Sequence, residues 1–251
     1  MVSASMLLSP ALPASTLTPL APPPLATIIR NVVARDEANQ KELQSMQYHQ
    51  SLHSEMLGDD GKVTKHEDVQ MIIRPGARDE IQIVSATGDE IPSDPDQAAQ
   101  KAKGDEAKRK NLRIALKDLA QRFVVTLAGT DVVNSQPAYV LAFEPRKDQP
   151  YQNQTEKILN QLHGKMWISA ANYSVLRTQA TLAHPVDIVF FLATINTLDF
   201  HYELQGPPGA MGPAEVRTAV VINAPFITIR QRMTVEMTQF SPRDNATASL
   251  P

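Results

Sequence analysis

The chain has 251 residues, 42% of them hydrophobic and 20% charged, with a formal net charge of −3 and no cysteine. This length supports a sizeable core in one large domain or two small ones. The charge balance gives no electrostatic basis for nucleic-acid binding, and the missing cysteine excludes disulfides, thiol catalysis, cysteine-ligated metal and a lipidated cysteine.

The opening segment MVSASMLLSPALPASTLTPLAPPPLA has no charged side chain before Arg30 and six prolines in its first 24 residues. MLLSPALPA has the apolar middle of an export signal and Ala11–Ala14 a cleavage-like end, but the basic n-region is absent. Residues 1–23 are therefore expected to be either a signal remnant or a disordered Pro/Ala-rich arm, since proline opposes a helix. No run reaches the ~20 apolar residues of a membrane span. The nearest, Val186–Phe200, is too short and carries Asp187, Asn196 and Asp199.

From Pro24 the spacing of Leu25, Ile28, Ile29, Val32 and Val33 predicts a helix over 24–41. The period then changes to two. Folding the next stretch at Gly58–Gly61 predicts a hairpin in which Met56 opposes Val63 and Tyr48 opposes Met71. One face would carry Met46, Tyr48, Leu52, Met56, Val63, Val69, Met71 and Ile73. The other would carry His49, His53, Glu55, His66 and Asp68. A third strand follows over 81–87.

Residues 92–110 read as a polar linker passing into a second helix, with Leu112, Ala115, Leu116, Leu119, Ala120 and Phe123 as its buried stripe. The basic run 108–110 reads as a solvated helix face, because Asp105, Glu106 and Asp118 are interleaved with it. Strands flanking a turn at 134–137 come next, with Tyr139, Leu141 and Phe143 on one face. Residues 153–162 fit a helical turn or a strand approach equally well.

HGKMWISAANYSVLRTQATL (163–182) contains the lone tryptophan and predicts a hairpin turning at Ala170–Tyr173. Trp167 would oppose Leu176, and Ile168 would oppose Val175. Both faces are apolar, unusual for a hairpin wetted on one side. Further strands are expected over 186–204. The loop QGPPGAMGP (205–213) lacks the lysine and strand–helix setting of a phosphate cradle. The last strand, 226–239, alternates almost perfectly. Ile227, Ile229, Met233, Val235 and Met237 face one way, interrupted by Gln231. Residues 241–251 read as a flexible tail.

The predicted class is α+β: mainly antiparallel β, an incomplete half-barrel whose concave side is covered by helices, in a single domain over 24–240. Two helices are too few to cover eight or more strands unless the sheet curls.

PAYVLAFEPR, HGKMWISAANYSVLR and the closing alternating strand resemble the outer-membrane-lipoprotein sorting family, the carriers similar to LolA. The family's Gly-x-x-Trp-Ile-Asp pattern and its later hydrophobic–Arg pair match Gly164, Trp167, Ile168 and Leu176–Arg177; Ser169 replaces the usual aspartate. The resemblance implies a half-barrel with a hydrophobic cavity, a periplasmic, exported location and, in some members, acyl chains of lipoproteins as cargo. It also implies membrane-associated partners that load and unload the carrier.

The expected function is thus a monomeric, non-enzymatic binding or carrier protein for a lipid or acylated protein, without cofactor or metal. Its apolar cavity would use Met46, Tyr48, Met56, Met71, Trp167, Leu176, Ile229, Met233, Val235 and Met237; the flexible methionines suit promiscuous apolar ligands. The alternative is a protein- or peptide-interaction module binding by strand addition. In the predicted register His53 and His66 are cross-strand neighbours, a weak metal-site pattern. Catalysis has no support: there is no Gly-x-Ser-x-Gly or His-Glu-x-x-His, and His184 with Asp187 lacks a nucleophile.

Overall fold

Helix α1 (Leu25–Leu43) begins after Pro24, whose carbonyl accepts from the N–H groups of Thr27 and Ile28. Its apolar stripe buries Ile28 and Val32. The computed structural model describes residues 22–76, 79–110, 116, 121–147, 149–189, 193–206 and 212–243.

Strands β1 (Met46–Leu57) and β2 (Val63–Arg74) form the expected hairpin with the expected faces. Their register differs from expectation by two residues: Tyr48 opposes Ile73, Gln50 opposes Met71 and His53 opposes Asp68. The turn is longer than the Gly58–Gly61 fold assumed, and an irregularity at Met56/Leu57 absorbs the difference. A two-residue shift keeps every side chain on its face, so alternation alone could not detect it. Strand β3 (Glu80–Gly88) completes this group.

The expected linker at 92–110 is largely helix α2 (Pro95–Lys110). Asp94 caps it, its side chain accepting from Gln97 N–H at 2.9 Å, and Pro95 takes the first helical position, where its missing donor costs nothing. Ala98, Ala102 and Glu106 are its buried line. Of the stripe expected on the second helix, Leu112, Ala115, Leu119 and Ala120 lie outside the described residues. Leu116 packs beside α1, and Phe123 is instead the buried first residue of a strand.

That strand is β4 (Phe123–Val133); it pairs with β5 (Gln136–Pro145) through Asn134–Ser135, both at positive φ (49° and 64°), as a two-residue hairpin requires. A short helix, α3 (Gln154–Leu159), resolves the ambiguity at 153–162; Asn153 caps it. Then come β6 (Leu162–Ser169), β7 (Val175–Leu182), β8 (Val186–Val189), β9 (Ala193–Leu204), β10 (Ala214–Ala224) and β11 (Ile227–Pro242).

All eleven strands belong to one antiparallel sheet, ordered β3-β2-β1-β11-β10-β9-β7-β6-β5-β4, with β8 attached to β9. The long jump from β1 to β11 puts the first and last strands side by side within the sheet. Directly paired residues point to the same side, so one row can be followed across the sheet: Leu127, Leu141, Met166, Thr178, Tyr202, Val216, Val235, Leu52, Val69, Ala86. Ile28 and Val32 of α1 cluster with Leu141 and Met166 at one end of this row. Ala102 of α2 clusters with Leu52 and Val69 at the other. Both helices therefore cover the same face, and the edge strands β3 and β4 leave the sheet open. This is the expected half-barrel with helices on its inner side.

Candidate functional site

The β6–β7 hairpin is dry on both sides for two different reasons. Met166 and Ile168 pack under α1 with Ile28 and Val32. Trp167 points the other way and joins Val133, Ala138, Val140, Leu176, Leu204 and Ala214. Trp167 opposes Arg177, not Leu176 as expected, because an irregularity at Trp167/Ile168 leaves Leu176 as the extra residue; Ile168 does oppose Val175. The indole is 7% exposed. Its Nε1 donates to Asp131 Oδ2 at 2.9 Å, and the Arg177 guanidinium lies 5.6 Å from the ring centre. Arg177 in turn pairs with Glu203 at 3.0 Å. Trp167's hydrogen bond is the main cause holding the Asp131 carboxyl below its usual range.

The inner face is unevenly covered. Beneath α2, Tyr48, Leu52, Val69, Met71 and Ile73 are fully buried, and beneath α1 so are Leu141, Met166 and Ile168. Between the helices coverage thins: β11 has no fully buried residue and β10 only Ala214. The half-buried strip there includes Phe200, Tyr202, Val216, Met233 and Val235. On the α1 side of the same face is a cleft lined by Ile29, Val32, Val33, Leu116, Val125, Leu141, Phe143 and Met166. The free volume in that cleft is about 30 Å³, room for a couple of waters.

The ten expected cavity residues fall into three settings. Tyr48 and Met71 lie in the core beneath α2, with Met233, Val235 and Met237 packed against it. Trp167 and Leu176 share the second cluster, which Met237 also touches. Met46, Met56 and Ile229 are half-buried, Met56 opposite Lys65 and Gln231, and Ile229 opposite Ile222. None of the ten lines the cleft. The cleft residues were visible as helix and strand stripes, but periodicity does not tell a filled interface from one with a gap.

Polar groups border the strip on the α2 side. Gln231 donates to Ser54 at 2.8 Å, Gln50 donates to Glu106 at 3.0 Å, and Lys101 bridges Glu67 and Asp105 at 3.3 and 3.1 Å. Under α1, burial raises the pKa of Asp36. Burial, with the Asp36 charge nearby, pushes Tyr202 up to about 12.

The outer face is a charged ladder. The two-residue register change separates the expected histidine pair: His53 faces Asp68 (2.7 Å), while His66 opposes Glu55 and contacts Asp89 (3.0 Å). Each imidazole thus has a carboxylate neighbour rather than a second nitrogen ligand. Among the described residues no group of three His, Asp or Glu is placed to hold a metal. Asp187 accepts from Thr194 Oγ1 at 2.6 Å. No described helix is long and apolar enough to cross a membrane.

No family model and no curated protein matches the sequence. Solved structures do. A DUF1329 family protein from Desulfovibrio piger matches at 11% identity and TM-score 0.38, over 89% of this chain and 95% of that one. The chain is also similar to LolA-superfamily proteins. That from Nitrosomonas europaea has 10% identity and TM-score 0.35, covering 86% of this chain and 94% of its own. A putative outer membrane lipoprotein-sorting protein domain from Vibrio parahaemolyticus has 10% identity and TM-score 0.30, covering 87% and 94%. A LolA-like likeness at this level is one of element order and says nothing of ligand or partner.

Proposed function

We propose that the protein is a periplasmic, non-enzymatic carrier that holds an apolar chain, from a lipid or an acylated protein, on the inner face between α1 and α2. The observation that carries this reading is the strip of β10 and β11 that neither α1 nor α2 seals, whose apolar side chains are half-buried within the sheet. A core strand with helices on both sides would normally be sealed. The α1 cleft lies on the same face, and its free volume of about 30 Å³ is far below the roughly 300–1,000 Å³ of ligand pockets. Cargo would therefore lie along the strip and enlarge the cleft by displacing α1. Met233, Val235, Met237 and Ile229 would form the floor, with Tyr48, Met71, Trp167 and Leu176 as its rigid support and Met46 and Met56 at its margins. Burying ~0.8 kcal/mol per methylene, a long acyl chain would gain roughly 10 kcal/mol before ordering costs. Half-burial lowers that figure and suits a protein that must release its cargo to membrane-associated partners.

A second reading, a peptide-binding module, is favoured by one feature. Strand β4 ends the sheet, has no charge from Phe123 to Thr130, and exposes Val124 and Val132. Such an edge accepts an added strand. Native mass spectrometry of detergent-free, exported protein, followed by organic extraction, separates the two. Co-purifying acyl species lost in a folded Val235→Asp variant are expected for the carrier. A clean apo mass that takes up no fatty acid on titration would overturn it.

A further inference from the structure

We propose that the tip of the β10–β11 hairpin is a docking wedge that places Phe226 and Ile227 in the interfacial layer of a phospholipid bilayer. The two strands are joined by Pro225–Phe226, with Ala224 paired to Ile227. Proline fixes φ near about −65° at the first turn position, and Phe226 follows at φ 69°. Pro followed by positive φ is a type II turn, whose second position selects glycine. A bulky aromatic there is conformationally unfavourable, and its ring gains nothing from packing, being fully exposed. Ile227 beside it is 58% exposed. Neither local conformation nor the core explains a phenylalanine here, which directs attention to something outside the chain.

The surroundings fit a bilayer. In the folded hairpin the tip from Val221 to Ile229 carries no charge, and Arg230, paired with Val221, closes it. On one side β11 pairs with β1 as far as Arg230, and on the other β10 pairs with β9 as far as Asn223, so Ala224–Ile227 is the part of the hairpin beyond both neighbouring ladders. Arg230 pairs with Asp59 of the neighbouring β1–β2 turn, leaving the foot of the tip without a net charge. Apolar insertion, with the Arg230 stem at headgroup depth, would therefore carry the binding, and anionic lipid would not be needed. The choice of a bilayer over an apolar pocket on another protein rests on the carrier reading, since a carrier of acyl chains must meet a membrane.

The test is cosedimentation of the full chain, without cargo, with phosphatidylcholine vesicles. The wild type should partition onto them with little dependence on added salt. Phe226→Gly, which suits the turn, should melt no lower than wild type yet partition about tenfold more weakly, the loss expected for one aromatic withdrawn from an apolar layer. Phe226→Asp should weaken it further. Wild type that stays in the supernatant, as a protein-pocket anchor would, overturns the wedge. So does Phe226→Gly partitioning like wild type, or partitioning that salt abolishes. Uptake of a fatty acid in vesicle-free solution is a separate readout, so the carrier reading and the wedge can fail independently.

Discussion

Gly164 sits where β6 and β7 pass too close for any side chain. A Cβ there would lie 2.0 Å from the Gln179 carbonyl oxygen and 2.8 Å from Ala180 Cα, and both are backbone atoms that cannot rotate away. Gly164→Ala should destabilise the protein by about 1–3 kcal/mol, read from the midpoint of urea unfolding. Three residues on, Trp167 is fixed by polar contacts as much as by packing, through Asp131 and Arg177. The Gly-x-x-Trp-Ile spacing was legible as a motif, but its purpose was not: the glycine permits a close strand and the tryptophan anchors β4 to it. In Trp167→Phe the Asp131 carboxyl loses its main hydrogen bond and should titrate higher, measured by NMR. A depressed carboxylate pKa contributes stability above its unfolded value and loses it as pH falls through the folded one. The stability gap between wild type and Trp167→Phe should therefore narrow in acid, below the ordinary aspartate range.

Among the elements, β11 and the faces of β1–β2 were read correctly because alternation is a direct signature of a half-wetted strand. The β1–β2 register was not, because a two-residue slip leaves alternation unchanged. Helix α2 was taken for a linker because its buried line is Ala98, Ala102 and Glu106, which reads as polar. The signal that could have found it was Asp94–Pro95, a cap followed by proline. The buried Glu106 accepts from Gln50 Nε2, whose other contact among the described residues is Met71 Sδ at 3.6 Å. Glu106→Ala should cost about 1–3 kcal/mol by leaving that amide without a strong acceptor. Replacing both residues with leucine should recover much of the loss. Equal stability of Glu106→Ala and wild type in urea would show that α2 is held by its alanines alone.

At the scale of the whole molecule, sheet order explains why the half-buried apolar strip lies between the two helix-covered ends of the sheet. The β1–β11 pairing brings the last strand into the middle of the sheet, while α1 and α2 cover β4–β7 and β1–β3. Sequence periodicity could predict the half-barrel, because that is a question of how many strands need covering. It could not predict which strands stay uncovered, because this depends on pairings between residues nearly two hundred positions apart, such as Met46 with Pro242. Acyl-chain binding on this half-buried strip is the function proposed. Its most direct test is titration of the cargo-free protein with a fluorescent fatty acid, in parallel with Val235→Asp, whose fold is checked by its cooperative melt. Saturable one-site binding is expected in the wild type and at least a tenfold loss in the folded variant, about 1.4 kcal/mol or more. No saturable binding, or equal binding by both proteins, would contradict it.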